Sequence, residues 1–251
     1  MSLEFLRPDA AAQSESFSPV ARSPMERQAR AAGGRFEIRN GWSVAVAYTS
    51  SAEQETETLR RAAGWADMSH LGKLELQATP EELQAIVSAA TGAGPELGRA
   101  RRSAGALWCP LSSSRLLVIC EPARVTSLHR QLEEAVASAD TPASLVDTST
   151  AFAALAIVGP LAREVFARFC ALDLRDKVTP VGAVRPGSVA RQPGVVVREA
   201  GERFLMLFGW AVGEYMWRQV EEAGRHLGCA PVGVDALAPL DAPTEEVRAR
   251  A

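Results

Sequence analysis

The feature that most constrains this chain is that it repeats itself. With Asp67 set over Asp147, the run D-M-S at 67–69 falls on D-T-S at 147–149, and Pro80 falls on Pro160 without a gap. The stretch HLGKLELQA faces TAFAALAIV, and each is followed by a proline-led segment with apolar residues three and four apart, PEELQAIVSAA and PLAREVFARFC. Proline suits the first turn of a helix, where its missing N–H is not needed. With eight residues inserted, SRLLVICEPARVTSLHRQLEEA (114–135) lies on ERFLMLFGWAVGEYMWRQVEEA (202–223), so that RQLEEA meets RQVEEA. Ahead of these, GALWCPLSSS and PGVVVREAGE read as strands entering hairpin turns, with Gly201 as a turn residue. Internal repeats are tested before anything else because missing one misreads the whole fold.

The predicted fold is α+β: two tandem β-α-β-β-α units, at about 66–138 and 146–227, each with helices on one face of a mainly antiparallel sheet. The expected organisation is a flexible arm (1–22), an amino-terminal segment packing on the module (23–65), a first unit (66–145), a second unit (146–228) and a tail (229–251).

Asp67, Ser69 and His70 are the residue types of nucleophilic catalysis, side by side. A triad needs convergent side chains, whereas neighbours on a strand point to opposite faces. Asp67 and Ser69 have counterparts at Asp147 and Ser149, but His70 is matched by Thr150. A pair kept in both copies points to a folding task, a turn fixed by side chain–backbone hydrogen bonds at a strand entrance.

The 251 residues are 47% hydrophobic and 23% charged, with a net charge of -3, an ordinary globular balance. The arginines are scattered, which argues against a nucleic-acid partner. The first residues hold no apolar signal core, and the most apolar segment, AFAALAIVGPLA, is too short to span a bilayer, so a soluble, cytoplasmic chain without a membrane partner is expected. Cys109, Cys120, Cys170 and Cys229 show no paired spacing and read as free thiols, and the three histidines are as dispersed, so no metal site is expected. GGR (33–35) and GAGP (92–95) are lone glycine turns without a phosphate-loop pattern.

Ser23-Pro24, Gly41-Trp42, Tyr48, Glu53 and D-M-S-H-L-G-K (67–73) make residues 23–77 resemble the amino-terminal segment of the glycine-cleavage T protein family, the aminomethyltransferases that bind tetrahydrofolate. The second half, through VDTS (146–149), GPLAREVFARFCALDL (159–174), VGAV (181–184) and YMW (215–217), is closer to a relative of that family, the gamma subunit of heterotetrameric sarcosine oxidase. The resemblance spans about 23–240.

What the resemblance implies about site residues transfers poorly. It implies a carboxylate in a turn of the first unit, yet neither Asp nor Glu occurs between Gly98 and Cys120, and a family aromatic position becomes Arg102. It implies a pterin-binding glutamate in REAGERF (198–204), where the alignment places Gly201 and leaves Glu202 one residue out. Glu202 is therefore the one candidate cofactor-binding residue, with no catalytic residue assigned. A family arginine is replaced by Leu240-Asp241, and the family's carboxy-terminal barrel domain is expected to be missing.

The resulting expectation is an accessory, non-catalytic scaffold of sarcosine- or glycine-type one-carbon metabolism, partnered with an enzyme subunit and holding no cofactor of its own. The alternatives are a divergent tetrahydrofolate-dependent transferase and a free-standing folate-binding module. Phe208, Trp210, Tyr215 and Trp217 are residue types enriched at interfaces, although Tyr215 and Trp217 lie on opposite sides of a helix. The run RARR (99–102) reads as a solvated loop or as a contact for an anionic partner or polyglutamate tail.

Overall fold

A computed structural model describes residues 19–48 and 51–237. Most of the expected arm (1–22) and the end of the expected tail (229–251) thus lie outside the described residues, as do Leu240 and Asp241. The first unit runs β5 (Gly72–Gln77), α3 (Pro80–Thr91), β6 (Arg101–Ser103), β7 (Ala106–Pro110), β8 (Arg115–Cys120) and α4 (Val125–Ala137). The second runs β10 (Phe152–Val158), α5 (Ala162–Ala167), β11 (Val184–Val189), β12 (Gln192–Ala200), β13 (Arg203–Gly209) and α6 (Gly213–Gly224). Each therefore has a strand more than expected, β6 and β11. Both are sheet edges, and β11 carries Pro186, a residue that edge strands tolerate.

Local chemistry explains the helix ends. The Thr79 hydroxyl accepts the Glu82 N–H at 3.3 Å ahead of Pro80, and Gly92 closes α3 with φ at 78°. The match of 114–135 with 202–223 is close in structure: each strand passes through a 3₁₀ turn, Pro122–Arg124 or Trp210–Val212, into its long helix.

The lead-in strands cross over. β4 (Gly64–Asp67) precedes the first unit but pairs with β10 of the second, and β9 (Ser144–Asp147) precedes the second unit but pairs with β5 of the first. Met68 N–H donates to the Ala154 carbonyl at 2.9 Å, and Thr148 N–H donates to the Lys73 carbonyl at 2.8 Å. Lys73 thus corresponds to Ala154, not to Ala153 as the gapless sequence match predicts. The second unit carries one extra residue between its D-x-S turn and its strand, and Pro160 lies ahead of α5 rather than in its first turn.

The resulting sheets, β6-β7-β8-β5-β9 and β11-β12-β13-β10-β4-β14 (β14 is Ala230–Pro231), pack face to face with helices outside. Leu107, Leu117 and Ile119 of one meet Ala154, Leu205 and Leu207 of the other. On the outer faces, Leu74, Trp108 and Val118 pack under α3 and α4, while Phe204, Met206 and Phe208 pack against α5 and α6. Each such buried side chain contributes about 1.5–3 kcal/mol.

The amino-terminal segment forms α1 (Glu26–Ala31), α2 (Ala52–Arg61) and a small sheet of β1 (Ala21–Arg22), β3 (Trp42–Ala47) and β2 (Arg35–Arg39). It is tied down by Glu55, whose carboxylate accepts the Tyr48 and Gly233 N–H groups, each at 2.6 Å. Gly233 is required there: a Cβ would lie 1.8 Å from the Val46 carbonyl oxygen. Phe208 and Trp217 are core residues, Trp210 packs on Trp42 at 6.1 Å, and Tyr215 is the exposed member of that aromatic set.

Candidate functional site: a cleft between the two sheets

The sheets separate at one end to leave a cleft of two adjoining cavities, about 380 and 250 Å³. Both are lined by Met68, Glu121 and Arg203. Strand alternation builds the larger one. Leu107, Ile119 and Leu205 give it an apolar floor, while Arg102 from β6 and Glu199 from β12 close it from opposite sheets. The Glu199 carboxylate accepts from the Arg102 guanidinium at 2.7 Å through one oxygen and from the Arg203 guanidinium at 3.1 Å through the other. Its side chain is 8% exposed and that of Arg102 is 65% exposed, so the acid is fixed and the base reaches it from solvent.

Glu202 lies elsewhere. In the β12–β13 turn it accepts from Arg163 of α5 at 2.6 Å, in a network continued by Asp176 and Arg198, and it lines neither cavity. Glu199 follows Val195 and Val197 on the face of β12 that looks toward the other sheet, and so lines the cleft instead. The turn between β7 and β8, Leu111-Ser112-Ser113-Ser114, brings no carboxylate. Glu121 stands one residue beyond the window between Gly98 and Cys120, at the end of β8, and reaches both cavities.

Asp67, Ser69 and His70 are not brought together as a relay. The Asp67 carboxylate accepts the Ser69 N–H at 2.9 Å, as Asp147 accepts that of Ser149 at 2.9 Å. The serine hydroxyls cross over: Ser69 Oγ accepts from Ala154 N–H at 3.2 Å, and Ser149 Oγ accepts from Lys73 N–H at 3.0 Å. His70 faces the smaller cavity, where burial, with Lys73 and Arg39 nearby, lowers its pKa to about 4 and keeps it neutral. Burial raises the Asp67 pKa, against hydrogen bonds from Ser23 and Ser69.

Lys73 is the charged group that the sequence did not single out. It is fully buried, and its ammonium donates to the carbonyls of Leu71, Ser69 and Ser149 at 2.7, 2.8 and 3.1 Å. Burial lowers its pKa to about 7, opposed by the charges of Asp67 and Asp147. The four cysteines are free thiols. Among the described residues no cluster of metal-ligating side chains occurs, and no helix is long and apolar enough to cross a membrane.

Fold and cleft define the class: a four-layer α/β module with a ligand-sized opening between its two sheets. Residues 104–242, more than half of the chain, match the GCVT N-terminal domain family, and the chain belongs to that family. It is 28% identical over 231 residues to an aminomethyltransferase of Saccharopolyspora erythraea, covering 86% of this chain and 62% of the relative. It is 28% identical over 236 residues to one of Streptomyces coelicolor, covering 87% and 61%. The chain thus spans about three fifths of the length of the curated relatives it matches.

Among solved structures, the glycine cleavage system aminomethyltransferase T of Bartonella henselae shares the fold with a TM-score of 0.72 at 17% identity, over 86% of this chain and 60% of that one. A chain of the heterotetrameric sarcosine oxidase of Corynebacterium sp. U-96 shares it with a TM-score of 0.60 at 23% identity, over 72% of this chain and 94% of that one. The scaffold is aminomethyltransferase-like and related to that of a sarcosine oxidase subunit.

Proposed function

We propose that this chain is a non-catalytic, accessory subunit of a cytoplasmic enzyme of sarcosine- or glycine-type one-carbon metabolism, its two units the product of an internal duplication. The observation that carries the reading is the Arg102–Glu199–Arg203 cluster. A pterin presents several N–H donors that a transferase cleft must meet with acceptors. Here both oxygens of the buried carboxylate already accept from arginines, and the β7–β8 turn offers serines where the resemblance implies a carboxylate. With that carboxylate held by two cations, the cleft disfavours tetrahydrofolate, since each pterin donor left buried without a partner costs roughly 1–3 kcal/mol. The duplication is supported by the paired D-x-S turns and the crossed serine bonds; the partner enzyme is supported by the likeness to a chain from a heterotetrameric oxidase.

Calorimetric titration of the purified chain with reduced folate under anaerobic conditions tests this. The expected result is no saturable heat up to millimolar ligand, with the chain copurifying from its own cells with the catalytic subunits of an amine-metabolising enzyme. Saturable micromolar binding would favour the second reading, a folate-binding module or divergent transferase. That reading has one observation behind it: the apolar floor of the 380 Å³ cavity, with Glu121 at its edge.

A further inference from the structure

A second cavity bordered by charged residues lies apart from the inter-sheet cleft. On the helix side of the first sheet lies a cavity of about 460 Å³, between the last turn of α3, the 93–96 loop and strands β6 to β8. That volume is within the range of about 300–1,000 Å³ usual for small-molecule sites. Its apolar walls are Val87, Leu116, Pro110 and the edge of Trp108, whose indole N–H donates to the Ser103 carbonyl at 3.0 Å. Its charged border is Arg99, Arg101 and Glu96.

The RARR run forms the wall between two sites. Arg101 is register-paired with Trp108, which places its side chain on the helix face, whereas the next residue, Arg102, lines the inter-sheet cleft. The backbone carrying these arginines is fixed by the second unit: Ala100 N–H donates to the Gly182 carbonyl at 2.6 Å, and Val184 N–H donates to the Gly98 carbonyl at 2.7 Å. Among the described residues Arg101 has no ion pair or side-chain hydrogen bond, and the contact of Arg99 with Glu96 is long, 3.8 Å. The border thus carries a net positive charge above an apolar wall.

We infer that this cavity binds a small amphipathic monoanion, its apolar body against Trp108, Val87 and Leu116 and its carboxylate between Arg99 and Arg101. The inference is independent of what the inter-sheet cleft binds.

The test uses the full chain and two probes of one shape, 2-naphthoate and its neutral amide, followed by calorimetry and by the indole N–H resonances. The expected result is saturable one-to-one binding of naphthoate with a perturbed Trp108 resonance, and at least tenfold weaker binding of the amide. Arg101→Ala should abolish that preference, Arg101→Lys should keep part of it, and Arg102→Ala should leave affinity within twofold. Equal binding of acid and amide, dependence on Arg102 rather than Arg101, or no saturable binding would each overturn the inference.

Discussion

Lys73 and Ser149, one from each unit, are bonded to each other twice. The Lys73 backbone N–H donates to the Ser149 hydroxyl at 3.0 Å, and the Lys73 ammonium donates to the Ser149 carbonyl at 3.1 Å. The second bond holds an ammonium buried beneath the surface, and its proton equilibrium is therefore linked to folding.

The folded pKa of Lys73, about 7, is below its ordinary value of 10.5, so between these limits the unfolded chain binds more protons. Stability contributed by this group should therefore rise as pH increases from about 7 toward 10.5, and be flat below 7. Urea unfolding of wild type and Lys73→Met at pH 7 and pH 9.5 isolates the effect. The wild type should gain on the order of 2 kcal/mol relative to the variant over that interval. Parallel pH profiles would show that Lys73 does not titrate there.

Ser69→Ala and Ser149→Ala should each destabilise the chain by about 1–2 kcal/mol, because the Ala154 and Lys73 N–H groups lose their acceptors. Ser69→Ala and Ser149→Ala melting curves measure this, and unchanged midpoints would count against it.

Glu202→Gln and Glu199→Gln should behave differently. Glu202 and Arg163 are partly exposed, so the first change should shift stability by no more than about 1 kcal/mol. Glu199→Gln replaces a buried carboxylate shared by two guanidiniums and should cost about 3–5 kcal/mol. Denaturant midpoints compare the two directly.

Gly233→Ala sets a Cβ against the Val46 carbonyl oxygen, where no rotamer can relieve the clash. A loss of more than about 3 kcal/mol is expected, through displacement of the Glu55 bond that ties Gly233 to α2. Thermal unfolding would show it as a large drop in midpoint.

What the sequence reveals depends on range. The strand–3₁₀–helix pattern of 114–135 and 202–223 is legible because it depends on neighbouring residues, and the same holds for the D-x-S turns. The extra edge strands β6 and β11 are not, since three polar residues, Arg101 to Ser103, carry no alternation to read. Nor is the one-residue slip between Lys73 and Ala154, which only the pairing of remote strands reveals. In the cleft, Arg102 and Glu199 meet across 97 positions, a pairing between remote strands of opposite sheets that no local pattern announces. Lys73 hides in an alternating strand whose inner face is polar, Lys73 and Glu75, while Leu74 and Leu76 face the helices.

The crossed lead-in strands have a mechanical consequence. Each half carries, in β4 or β9, a strand of the other half's sheet, so neither can be lifted away as a cassette without baring a row of backbone donors and acceptors on its former neighbour. The halves are braced like clasped hands rather than stacked like bricks. Tension applied across them loads two short strands in parallel, and the pair yields together or holds together.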